Sequence, residues 1–101
     1  MPSLEQLLAI AGKSGKPLPW YGVAMEYRSL GRLDEAIATF QKVHELDPRY
    51  VAAYFMCAQV HAERGHVEQA RAELQAGMVQ ARDVGDSHAE GEMRELLETM
   101  T

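Results

Sequence analysis

The sequence holds a single cysteine, Cys57, which rules out an internal disulfide and a multi-cysteine zinc site. Stability therefore has to come from packing, and the lone thiol suits a reducing compartment. Asparagine is absent and β-branched residues are few, whereas Ala, Glu, Leu, Gln and Arg are abundant. That balance disfavours strands and favours helices. Basic side chains are in the minority, 10 against 15 acidic ones, for a formal charge of −5. A chain of that sign is a poor general binder of phosphate backbones, so nucleic acid is not an expected partner. No apolar run approaches the roughly 20 residues of a membrane-spanning helix. The opening Met1-Pro2-Ser3-Leu4-Glu5 lacks the basic start and apolar stretch of a secretory signal, so a cytoplasmic protein with no membrane partner is expected.

What the chain does contain is an internal repeat. Shifting Pro17–Tyr50 by 34 residues lays it over Val51–Val84. Trp20 then falls on Tyr54, Tyr21 on Phe55, Ala24 on Ala58, Gly31 on Gly65, Leu33 on Val67, Ala36 on Ala70 and Phe40 on Leu74. Gly31 and Gly65 each follow one helical segment and precede another, where a left-handed residue ends a helix and turns the chain. Each copy reads as a helix hairpin. Small residues at Ala24, Ala36, Ala58 and Ala70 let paired helices approach closely, and the bulky positions fill the gaps between them.

The first copy, with Trp20, Val23-Ala24, Tyr27, Ala36, Phe40 and Pro48, resembles the tetratricopeptide repeat family, whose 34-residue pattern places the same residue types at the same spacing. The second copy follows it less closely, with Tyr54, Cys57-Ala58, His61, Ala70 and Leu74, and with Arg82 in place of the closing proline, so its second helix is free to run on. The resemblance spans residues 17 to 84, about two thirds of the chain. It implies an all-α, right-handed stack of antiparallel hairpins. Two repeats are short of the about 3 units that a stable array needs, so the flanks are expected to close the ends.

Ser3-Leu4-Glu5-Gln6 reads as a capping box, followed by an apolar stripe of Leu4, Leu7, Leu8 and Ala11 that Gly12 ends. Ser87-His88-Ala89-Glu90 reads as a second box, followed by Ala89, Met93, Leu96, Leu97 and Met100 on one face. The expectation is one domain over 1–101. It comprises an N-terminal helix at 3–12, one repeat at 17–50, a second at 51–84 and a C-terminal capping helix at 87–100, with the hairpin helices near 18–30, 34–46, 51–64 and 67–83.

Candidate chemistry is sparse. Gly12-Lys13-Ser14 and Gly15-Lys16 superficially resemble a phosphate loop, but Leu7 stands where the earlier glycine belongs and the preceding segment is helical. Residues 12 to 19 are read as a solvated connector. Cys57 and His61 share a helix face, yet metal sites gather three or four ligands, and these two occupy the slots that Val23 and Tyr27 hold in the first copy. A buried thiol and an imidazole satisfied by a neighbour is the expectation, with no metal and no cofactor. The charges around Glu63, Arg64, Glu68, Arg71 and Glu73, and from Glu90 to Glu98, read as solvent-facing stripes, with Glu90 and Arg94 as an i,i+4 pair. Nothing marks a catalytic centre, and no enzyme is expected.

The resemblance implies that the first helix of each hairpin lines a concave groove that takes an extended or helical segment of a protein partner. Matched spacing places Tyr21, Met25 and Arg28 there from the first copy and Phe55, Gln59 and Ala62 from the second, with Met56 at the edge. Such residues are typical of interface cores. The groove is either open to a partner or filled, by the last helix or by a second copy in a homodimer. A terminal-carboxylate clamp of the kind used by some family members is not expected, because Tyr21 and Met25 stand at its positions and asparagine is absent.

Overall fold

A computed structural model describes residues 2–100, which form six helices with no strand among the described residues. They are α1 (Leu4–Ser14), α2 (Pro17–Ser29), α3 (Leu33–Leu46), α4 (Val51–Glu63), α5 (Val67–Val84) and α6 (Ser87–Glu98). Each packs mainly on its neighbours in sequence, so the chain is a run of antiparallel pairs. No helix among the described residues is long and apolar enough to cross a membrane.

The turns explain the repeat. Gly31 and Gly65 take φ of 75° and 79°, a region open to glycine at little cost. The next amide then reaches back to cap the helix it has just left: Arg32 N–H donates to the Tyr27 carbonyl at 2.9 Å, and His66 N–H to that of His61 at 2.8 Å. α3 stops at Leu46, ahead of Asp47-Pro48, because a proline removes a donor and biases the preceding residue away from helix. With Arg82 at the matching place, α5 continues to Val84.

Two expectations about the flanks need correction. α1 does not end at Gly12; it runs on to Ser14 and is closed by Gly15 in the left-handed region, while Pro17 opens α2. A glycine inside a helix costs only about 1 kcal/mol, and Gly15 is the better left-handed cap, so the connector expected over 12–19 shrinks to Gly15-Lys16. At the other end the cap of α6 is Asp86 rather than Ser87: its Oδ1 accepts from Ala89 N–H at 3.0 Å. Ser87 is already helical, and Glu90 accepts from Arg82 and Arg94 instead of turning back to the start of α6. The Ser3–Gln6 capping box forms as expected.

Ala24, Ala36, Ala58 and Ala70 are all fully buried, at the points where paired helices touch. One cluster, built on Phe40, Val43, Cys57 and Val60, joins α2, α3 and α4. A second, built on Tyr54, Leu74 and Met93, joins α4, α5 and α6. α4 belongs to both and ties the halves together. The flanking helices close the ends, α1 against α2 and α6 against α5.

Candidate functional site

Two faces of α4 carry the candidates. The first lies beside α2. Tyr21 meets the edge of Phe40 at 6.0 Å and lies 5.3 Å from the Tyr50 ring. Burial, reinforced by Tyr50, pushes its phenol up, so the hydroxyl is a neutral donor at ordinary pH. Met25 and Met56 are half-buried against the same cluster. Arg28 spans from α2 to α4, donating through Nε to Glu63 at 2.7 Å and through Nη2 to Gln59 at 3.2 Å. Ala62 is exposed.

Phe55 sits apart from this group. It packs on the second cluster and, with Val51, Ala52 and the α6 residues His88, Ala89 and Glu92, bounds a cavity of 240 Å³. Met25 borders another, of 260 Å³, with Pro2 and Leu7 at the α1 end. The α2–α4 face is therefore a shallow, mostly apolar strip, with α1 at one end and the start of α6 at the other. α6 touches α4 only lightly and packs chiefly on α5.

The second face of α4 bounds a cleft between α3 and α5, of 460 Å³, that receives Gln41 and His44, Tyr54 and His61, and Glu73. Glu73 is its centre. Its carboxylate accepts from Gln41 Nε2 at 2.7 Å, from His44 Nε2 at 2.9 Å and from the Cys57 thiol at 3.5 Å. Burial pushes this carboxyl up, but the bonds from His44, Gln41 and Cys57 outweigh burial and hold it below the usual carboxylate range. Burial, and then the Glu73 charge, push the Cys57 thiol far up. Burial also pushes the His61 imidazole down, against the pull of Glu73. The His44 ring stacks on Tyr54 at 4.0 Å. Both His44 and His61 keep a buried Nδ1 without a partner.

This cluster departs from the sequence reading in two ways. Glu73 is not part of a solvated stripe, since its side chain is only 11% exposed. And His61 is not fully satisfied by a neighbour. A signal for Glu73 was present in the repeat: 34 residues earlier stands Thr39, which is buried and faces the core beside Ala36 and Phe40. Thr39 satisfies itself locally by donating to the Glu35 carbonyl at 2.8 Å, whereas a carboxylate has to find donors on other helices. Glu90 and Arg94 do pair, at 3.0 Å.

A stack of helical hairpins with matched glycine turns and matched alanine contacts defines a helical-repeat protein. A tetratricopeptide repeat family model matches residues 27–90, more than half of the chain. The chain belongs to the tetratricopeptide repeat family. No curated protein matches it in sequence. Among solved structures it is similar to PcrH in complex with the chaperone binding region of PopD, with a TM-score of 0.89 and 15% identity over 96% of this chain and 74% of that one. It is similar also to the type III secretion translocator chaperone SycD of Yersinia enterocolitica, with a TM-score of 0.86 and 14% identity over 96% of this chain and 68% of that one. A third is protein BPP2914 of Bordetella parapertussis, with a TM-score of 0.84 and 21% identity over 99% and 88%. At such identities the likeness is one of fold.

Proposed function

We propose that the chain is a non-enzymatic protein-interaction module of the cytoplasm, which holds a segment of a partner protein along the α2–α4 face. The observation that carries this reading is the composition of that face: Tyr21, Met25 and Met56 are half-buried against one cluster, and the Arg28–Gln59–Glu63 group bridges the same two helices. Aromatic, methionine and arginine side chains in one strip are the mixture that interface cores favour. The fold it shares with PcrH, which was solved with the chaperone binding region of PopD, adds weight. Phe55 carries the strip toward α6, and the exposed Ala62 adjoins Glu63 at the far end of α4. The molecule is 38 Å in its longest dimension, so an extended ligand lying along it would engage at most about 11 residues.

The test is to purify partners with the tagged chain, identify them by mass spectrometry, and tile each as synthetic peptides of about 11 residues for fluorescence polarisation. Ala62→Arg puts a bulky charge on the strip at an exposed position, so the fold is retained. A tile that binds the native chain is expected to bind this variant at least about tenfold more weakly, and Met25→Gln should also weaken it. Equal binding by both variants would refute the α2–α4 face. Light scattering over a dilution series tests the competing occupant, a second copy: a dimer that Ala62→Arg dissociates would replace the peptide by the chain itself.

A further inference from the structure

We propose that His44, Cys57 and Glu73 form a transition-metal site of the zinc class, which joins the two repeats from the side of α4 turned away from the α2–α4 face. The three come from three successive helices, α3, α4 and α5, and one ligand atom from each lies within 4.8 Å of the others. Zinc bonds of about 2.0–2.3 Å set neighbouring tetrahedral ligands roughly 3.3–3.7 Å apart. His44 Nε2 and Cys57 Sγ stand 2.9 Å and 3.5 Å from the Glu73 oxygens, so small side-chain shifts produce that geometry.

The donor set selects the ion. A thiolate and an imidazole favour zinc or cobalt over magnesium and calcium, which want oxygen ligands. His61, one turn beyond Cys57, supplies an independent observation. It is only 8% exposed, lines the same cleft as His44 and Glu73, and its Nδ1 has no hydrogen-bond partner. An unpaired buried imidazole nitrogen in the cleft that holds two of the three ligand residues gives the site a further donor that the fold itself leaves unused. The repeat scaffold needs none of this chemistry for packing. At the matching places of the other copy stand Val23 for Cys57, Thr39 for Glu73 and Met78 for His44. When the ion binds, the Cys57 thiol releases its proton to solvent. The His44 Nε2 proton moves to Nδ1, freeing the Nε2 lone pair, and Glu73 binds as the carboxylate.

The counterpart residues supply the test, because each already stands at the matching place of the other repeat: Cys57→Val, His44→Met and Glu73→Thr. The full chain, stripped with a chelator, is titrated with Zn²⁺ and, separately, with Co²⁺. Expected are one equivalent bound per chain, no competition by excess Mg²⁺, and a thiolate-to-cobalt charge-transfer band. Zn²⁺ at about 100 times its Kd should raise Tm by about 10 °C or more. Cys57→Val should abolish the band, and each variant should weaken Zn²⁺ binding at least about tenfold with helical circular dichroism retained. No uptake at low-micromolar free Zn²⁺ would overturn the site. So would uptake that survives Cys57→Val, or uptake that His66→Gln or His88→Gln removes. Should Cys57→Val not fold, the native chain decides, since a cobalt complex without a thiolate band equally overturns the proposal.

Discussion

Gly77 is the glycine at which an added side chain would meet the closest neighbours. A Cβ placed there would stand 2.5 Å from Tyr54 Cβ and 2.6 Å from Met93 Sδ, so α4, α5 and α6 meet through a position that admits hydrogen alone. An alanine in a helix gains about 1 kcal/mol over glycine, but forcing a methyl into a filled core costs typically about 1–3 kcal/mol. The Tyr54 contact involves an atom fixed to the backbone, so the second effect should win. Gly77→Ala is expected to lower the urea midpoint, and an unchanged or raised midpoint would show that the seam can relax. Phe40 presents the opposite case. It is fully buried, and its removal opens a cavity that should cost about 3–5 kcal/mol, a large share of the 5–15 kcal/mol typical of a domain. Cys57 yields a chemical prediction. Burial and the neighbouring Glu73 charge raise the thiol, so at pH 8 it stays protonated in the folded chain and the thiolate nucleophile is scarce. Metal-free native protein should alkylate at least about 100-fold more slowly than the urea-unfolded chain.

At the level of elements, the ends of the helices separate what local sequence dictates from what it merely permits. The Ser3 box, the left-handed Gly31 and Gly65 and the Pro48 stop are all local chemistry, and these are readable from a few adjacent residues. The start of α6 offered two adjacent caps, Asp86 and Ser87. Packing on α5 chose the first, because starting the helix at Ser87 leaves Glu90 free to reach Arg82 across the turn and Arg94 along its own helix. Asp86→Ala should therefore destabilise by about 1 kcal/mol, and Ser87→Ala should change stability by less than about 0.5 kcal/mol. Denaturant titrations of the two variants check this directly, and the reverse order would reinstate Ser87 as the cap.

For the molecule as a whole, the question is how so short a repeat array holds together. Two hairpins leave open ends, and α1 and α6 cover them. Met93 of α6 is fully buried and completes the cluster around Tyr54 and Leu74. A chain cut after Gly85 would expose that cluster. It is expected to unfold without a sharp transition and to bind a hydrophobic dye, whereas a cooperative transition at the original midpoint would show that α6 is dispensable.

The sequence alone determined the hairpins and their register. Helix periodicity, glycine turns and alanine contacts are short-range properties, and the 34-residue shift repeats them in order. The resemblance to the repeat family, carried over by matched spacing, put Tyr21, Met25, Arg28, Phe55, Met56, Gln59 and Ala62 forward as one face. Tertiary structure alone decided that Phe55 turns to the α6 junction, that Arg28 clasps Gln59 and Glu63, and that Glu73 is buried. Above all it brought Glu73 to Cys57, 16 residues away, and to His44, 29 away. Those separations run across helix boundaries, where a helical period carries no information. They become contacts because three helices close around one cleft, and a distance across helices is set by how whole elements pack, not by spacing along the chain.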